Sequence, residues 1–195
     1  MLNPRATNDD LTAKARIRNA AMDLFAQYGE SRVSLRAIAA EAGVTLGLVQ
    51  HHFKTKAGLR DAVDQLVGEY FYQAVHSIPG SGTPAEVASA RDEAVREMLR
   101  ENPAVVNYLR RALLEPEPAQ SQFLERLVEL VRSEVVSLRE AGLASTRRRE
   151  STQVIAILVR QLGELLLAPL IDAVWDRVAA PGDTAKPHLS ITLED

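Results

Sequence analysis

The sequence predicts an all-α protein, and three observations carry that prediction. Apolar residues recur three and four positions apart in one segment after another. Between those segments stand helix start and stop signals, among them Thr83-Pro84-Ala85-Glu86 and the glycines Gly29, Gly43 and Gly142. No strand-rich region and no internal repeat interrupts the pattern.

Residues 1–9 read as a mobile arm. A first helix is expected over Asp10–Tyr28, with Ile17, Ala21, Leu24, Phe25 and Tyr28 inward and Gly29 as its stop. Next comes SLRAIAAEAGVTLGLVQHHFKTK (residues 34–56), the stretch around which the chain is organised. Leu35, Ile38, Ala39 and Ala42 share one face of a short helix; Gly43 supplies the left-handed residue that ends it. Val44 plugs the corner, Thr45 caps a second short helix reaching about Phe53, and Ala39 is small where the two must cross. Val49 and Phe53 point the second helix back to the core. This spacing describes a helix-turn-helix, which lays its second helix in the major groove of DNA.

A fourth helix opens at Thr55-Lys56 and carries Leu59, Val63, Leu66, Val67, Tyr70, Phe71 and Ala74 to about His76. After the loop 78–84, Thr83, Pro84 and Glu86 predict a capping box at the start of a fifth helix, to about Arg100. Asn102-Pro103 starts a sixth with Val105, Leu109, Ala112 and Leu113 inward, stopped by Glu115-Pro116-Glu117-Pro118. A seventh spans about Ala119–Glu140 with Leu124, Leu127, Val128, Val131, Val135 and Leu138 at helical spacing. From Val154 to Trp175 aliphatic residues sit on nearly every side, so this segment is expected to bury more than one face, with Pro169 dividing or kinking it. Gly163 would let another backbone approach. Past Ala180 the chain reads as a loose tail, although the alternation in HLSITL (residues 188–193) leaves room for an extended docking segment.

The chain has 195 residues, 46% of them hydrophobic and 25% charged, ordinary for a globular protein with a sizeable core. It has no cysteine, which excludes disulfides, thiolate metal sites and a cysteine nucleophile. The first residues form no apolar signal core, and the longest unbroken apolar run, Leu165–Ile171, is far shorter than the roughly 20 residues of a membrane span. A cytoplasmic protein with no membrane partner is therefore expected. The net charge of −3 is unevenly placed: residues 1–60 hold nine basic and five acidic side chains (+4), and the remainder is −7. A basic head on an acidic body suits contact with DNA at one end, and also arises by chance.

The segment from about Ala13 to Val67 resembles the N-terminal domain of TetR-family transcriptional repressors. The resemblance rests on Ala21, Leu24, Phe25, Gly29, Ser34, Leu35, Ile38, Ala39, Ala42, Gly43, Val44, Thr45, Gly47, Val49, His52, Phe53, Lys56 and Leu59. The family usually carries Tyr at the position of Gln50. The implied fold is all-α: a helix-turn-helix DNA-binding domain (residues 10–55), a helical effector-binding and dimerisation domain (56–180) and a tail (181–195).

Leu46, Gly47, Leu48, Gln50, His51 and His52 are expected on the exposed face of the second helix. Gln50 can pair bidentately with adenine, and aliphatic groups can meet a thymine methyl. His51 is expected to face the duplex; His52 either does the same or packs at the helix end. Ser34 and Thr45, at helix N-termini, and Lys54 and Lys56 suit phosphates, with Lys56 alternatively a structural residue at the start of the fourth helix. The resemblance implies that Arg36 reaches a base edge or the backbone, against the alternative of a solvated arginine. It also implies a small-molecule pocket, for which Tyr70, Met98, Tyr108, Phe123, Leu127 and Trp175 are candidates or plain core. Arg110-Arg111 and Arg147-Arg148-Arg149 either meet an anionic ligand or are solvated surface. The two-faced last helix offers Leu158, Leu162, Gly163, Leu166, Leu170 and Val174 as a homodimer contact.

No phosphate-binding glycine loop, H-E-x-x-H or G-x-S-x-G occurs. Adjacent His51 and His52 point about 100° apart on a helix and cannot share a metal. The expected protein is therefore no enzyme, with no cofactor and no metal. It is a repressor that binds a palindromic double-stranded operator as a homodimer and is released by an effector. The alternative is a ligand-independent helical DNA-binding protein without a pocket; a helical interaction module or enzyme that has lost DNA binding is a more distant one.

Overall fold

The structure, a computed structural model, describes residues 12–114, 121–187, 189 and 191. Among them are eight helices: α1 (Ala13–Tyr28), α2 (Leu35–Glu41), α3 (Leu46–Phe53), α4 (Lys56–His76), α5 (Pro84–Glu101), α6 (Pro103–Leu114), α7 (Ser121–Glu140) and α8 (Glu150–Val178). The chain divides into two compact units between Phe123 and Leu124. The expected starts of the first and seventh helices, Asp10 and Ala119, lie outside the described residues, as does the mobile arm.

In the first unit, local chemistry sets where helices begin. The hydroxyls of Thr12, Ser34, Thr45 and Thr55 accept the N–H of Ala15, Ala37, Leu48 and Gly58 at 3.0–3.3 Å, satisfying donors that a helix start leaves open. The capping box of α5 is complete: Thr83 Oγ1 accepts the Glu86 N–H at 3.4 Å, and Glu86 Oε2 accepts the Thr83 N–H at 2.8 Å. Those bonds to Thr83, backbone first, hold the Glu86 carboxyl below its ordinary pKa.

The core forms where α1 packs on α2, α4 and α6, and where α4 packs on α5. Ile17, Met22, Phe25, Ile38, Val49, Leu59, Leu66, Met98 and Leu109 are its largest fully enclosed side chains. Each such aliphatic or aromatic contributes about 1.5–3 kcal/mol on burial. Every inward position read for the fourth helix is buried. Tyr28 is not: it is exposed at the last position of α1, where the chain already turns at Gly29.

The second unit holds α8 and α7 from Leu124 onward. Arg132 Nε donates to Glu150 Oε1 (2.8 Å), and Arg139 reaches the Arg148 carbonyl and Gln153 Oε1 (both 3.0 Å), tying α7 to the start of α8. Leu127, Val135, Val154 and Leu165 are buried, whereas Leu124 and Val128, which share the helical spacing of Leu127 and Val135, are exposed. Helix α8 is not divided at Pro169; it runs unbroken for 29 residues. Proline removes one backbone donor, and the helical bonds on both sides suffice to carry the helix through. By length and composition alone α8 could cross a membrane. Arg160 and Glu164, one turn apart in its middle, would be costly in lipid.

Candidate nucleic-acid interface

The α2–α3 corner is built by backbone bonds that its sequence makes possible. Gly43 has φ +63°; its N–H donates to the Ala40 carbonyl (3.2 Å), and the Val44 N–H donates to the Ala39 carbonyl (2.9 Å). This is a Schellman closure, which needs a left-handed residue at that position. Ala39, Val49 and Phe53 are buried and Val44 half-buried, so the corner is locked from within.

With Val49 and Phe53 fixed inward, the 100° step of the helix decides what faces out. Gly47 and His51 fall opposite and Gln50 to one side, and all three are exposed. Leu46 and His52 flank the buried stripe, and with Leu48 they are half-buried. The His52 ring lies edge-on to Phe53 (6.2 Å between centroids) and to His51 (5.3 Å).

Around this face stand the groups read as phosphate contacts. Ser34, Thr45, Lys54 and Arg36 are exposed and Lys56 is half-buried. The Ser34 and Thr45 oxygens accept the cap bonds, which leaves each O–H as a donor for a phosphate. Lys54 has a property the sequence did not signal. At φ 62°, ψ −58°, with the Thr55 N–H on the Phe53 carbonyl at 2.6 Å, it is the centre of a γ-turn of the strained hand. Such a conformation costs on the order of 1–3 kcal/mol. Gly58 accompanies it, because a Cβ there would collide with the Phe53 carbonyl oxygen. A residue with positive φ in a helix-ending lysine carries no compositional mark, so only coordinates could find it.

Behind the corner, α6 grips α1. Arg111 donates from Nε to the Ala26 carbonyl (2.9 Å) and from Nη2 to the Gln27 carbonyl (2.8 Å), satisfying acceptors at the end of α1. Tyr108 donates its hydroxyl to Asp64 Oδ1 on α4 at 2.6 Å; Asp64 is 5% exposed. Burial first, and then the Asp64 charge, push the Tyr108 phenol far above its usual pKa.

The candidate pocket residues fall in both units. Tyr70, Met98 and Tyr108 are core of the first unit; Leu127 is core of the second, and Trp175 is half-buried on α8. The Phe123 side chain lies outside the described ones. Of the candidate dimer residues, Leu158, Leu162, Gly163 and Leu166 are half-buried, and Leu170 and Val174 exposed.

Residues 17–63 match the family described as bacterial regulatory proteins, tetR family. They span the α2–α3 corner and its flanking helices. Over 60 residues the chain is 57% identical to the HTH-type transcriptional regulatory protein RaaS of Mycobacterium tuberculosis, a match spanning 31% of this chain and 28% of that relative. The likeness of fold extends beyond the matched residues. A Clostridium perfringens protein described as a candidate fatty acid metabolism regulator superposes with a TM-score of 0.65 at 20% identity, covering 83% of this chain and 87% of that one. The multidrug binding protein EbrR, solved with imidazole, gives 0.60 at 23%, covering 90% and 99%. A likeness of fold therefore extends over 83–90% of the chain, while close sequence kinship is confined to its head.

Proposed function

We propose that this chain is a cytoplasmic transcriptional repressor, not an enzyme, which binds a palindromic double-stranded operator as a homodimer. The observation that carries the proposal is the α3 face. Gly47, Gln50 and His51 stand outward on a helix locked by its own caps, with O–H donors at its start and a lysine at its end. A rigid helix with a small, polar outer face suits entry into the major groove, and the flanking donors suit the backbone on either side. The relatives named as regulators support the same reading.

Two copies would set two such faces about 34–36 Å apart or somewhat more, paired through α8. A small-molecule effector would release them by a coupling of roughly 1–3 kcal/mol. A second reading, a DNA-binding protein that answers to no ligand, draws on Tyr70, Met98 and Tyr108: all are tightly enclosed, and Tyr108 spends its hydroxyl on Asp64.

Selection of bound duplexes from random DNA tests the main reading. It should return an inverted repeat, and Arg36→Ala should lose or relax its sequence preference. Recovery of no consensus would sink the proposal; release of the operator by no member of a metabolite panel would favour the second reading.

A further inference from the structure

Four glycines stand between the end of α1 and the first turn of α4, and the fold demands three of them. Gly29 and Gly43 take φ of 81° and 63°, where a side chain is strained. A Cβ on Gly58 would strike the Phe53 carbonyl oxygen. Gly47 is different. It lies inside α3 without a positive φ, and a Cβ there would meet Thr45 Oγ1 at an ordinary 3.9 Å. Among the described residues, no other side chain beyond its two neighbours in the chain comes within 4 Å of that point, the His51 ring one turn on included. Alanine would therefore fit. It would also strengthen the eight-residue helix, which glycine holds less firmly than any residue but proline. The exposed face of α3 thus carries a notch that the protein's own packing does not use.

The chemistry of the notch says what can enter it. Sideways, a helical glycine presents its Cα methylene, while its N–H and carbonyl lie along the helix axis. The donors just beyond are already taken. Thr45 Oγ1 and the Thr45 carbonyl accept the Leu48 N–H at 3.3 and 3.1 Å, and the same carbonyl accepts the Val49 N–H at 3.3 Å. The notch therefore offers close van der Waals contact and little hydrogen bonding. A phosphate gains nothing from such a surface, whereas an apolar group does. In the major groove that group is the 5-methyl of thymine. Gly47 is the second residue of α3, in the first turn, and the first turn of a recognition helix is the part that reaches base edges.

We propose that Gly47 is a specificity-determining residue, whose missing side chain lets α3 close on a thymine methyl in each half of the operator. A Cβ at this position would hold the helix off that base. The inference rests on α3 entering the major groove and deepens that reading by naming one base and the residue that selects it.

Fluorescence anisotropy of the full chain on the selected operator tests it. Thymines are replaced by deoxyuridine, which lacks the methyl, at matching positions of both half-sites. One position should weaken wild-type binding about fourfold per half-site, about fifteenfold for the pair, at the value of one buried methyl. Gly47→Ala should bind the unmodified operator about tenfold or more weakly than wild type and ignore the same deoxyuridine. It should keep its affinity for random duplex within about twofold and unfold at a urea midpoint no lower than wild type. Wild-type binding indifferent to deoxyuridine at every thymine would overturn the proposal without recourse to any variant. Gly47→Ala retaining operator affinity within about twofold, or still sensing the deoxyuridine, would do the same. Equal weakening on operator and random duplex would replace the thymine with a phosphate at Gly47. Selection of no operator at all would instead sink the DNA-binding reading, and this inference with it.

Discussion

In the α2–α3 corner the inward aliphatics are closed off by neighbours in the same unit: Ile38 is 0% exposed and Val49 1%. In α8, three times as long or more, only Val154 and Leu165 are buried, while a stripe of aliphatics faces outward. The corner is a finished core with a polar outer surface, so its function lies in what it displays. Helix α8 is apolar on more sides than its own unit covers, so its function lies in what it has yet to bury. One region is specified by packing, the other leaves apolar surface that its own unit does not cover.

Truncation should separate these two most sharply. Phe25→Ala, in the core beneath the corner, should cost about 3–5 kcal/mol in urea unfolding. Leu170→Ala should leave the urea midpoint of the monomer within about 0.5 kcal/mol and weaken self-association instead. Equal destabilisation by both would erase the contrast.

Tyr108→Phe asks whether the tie behind the corner is as demanding as its core. Removing the hydroxyl takes a donor from buried Asp64 and should cost about 1–3 kcal/mol, against a near-neutral result if the pair is incidental. Lys54→Gly works in the opposite direction. Glycine takes the positive φ without strain, so the head should gain on the order of 1 kcal/mol while binding to all duplexes weakens and its salt dependence flattens. A destabilised variant would show that the γ-turn is not strained.

The smallest effect is expected at the α5 cap. Because Glu86 is held below its ordinary pKa, its contribution is present above the usual carboxylate range and is lost as pH falls through its folded value. Wild type should therefore exceed Glu86→Ala in urea midpoint at neutral pH, with the gap closing in acid. A gap independent of pH would mean that the charge plays no part.

The sequence alone determined the helices and most of their ends, because caps and glycine stops act over three or four residues. Thr55 and Lys56 opened α4, Thr83 and Glu86 opened α5, and Gly43 closed the corner before any coordinate was needed. It also determined the helix-turn-helix, whose buried positions are a fixed local spacing. What it could not determine was which half of an apolar helix stays uncovered, as Leu124, Val128 and Tyr28 illustrate, or that α8 would run through Pro169. Tertiary structure alone decided the bonds between residues far apart in the chain: Tyr108 on Asp64 and Arg111 on the end of α1. Periodicity reports that a face is apolar, but burial and long-range pairing depend on what the rest of the chain brings to that face, and this is settled only when all the helices compete for the same space.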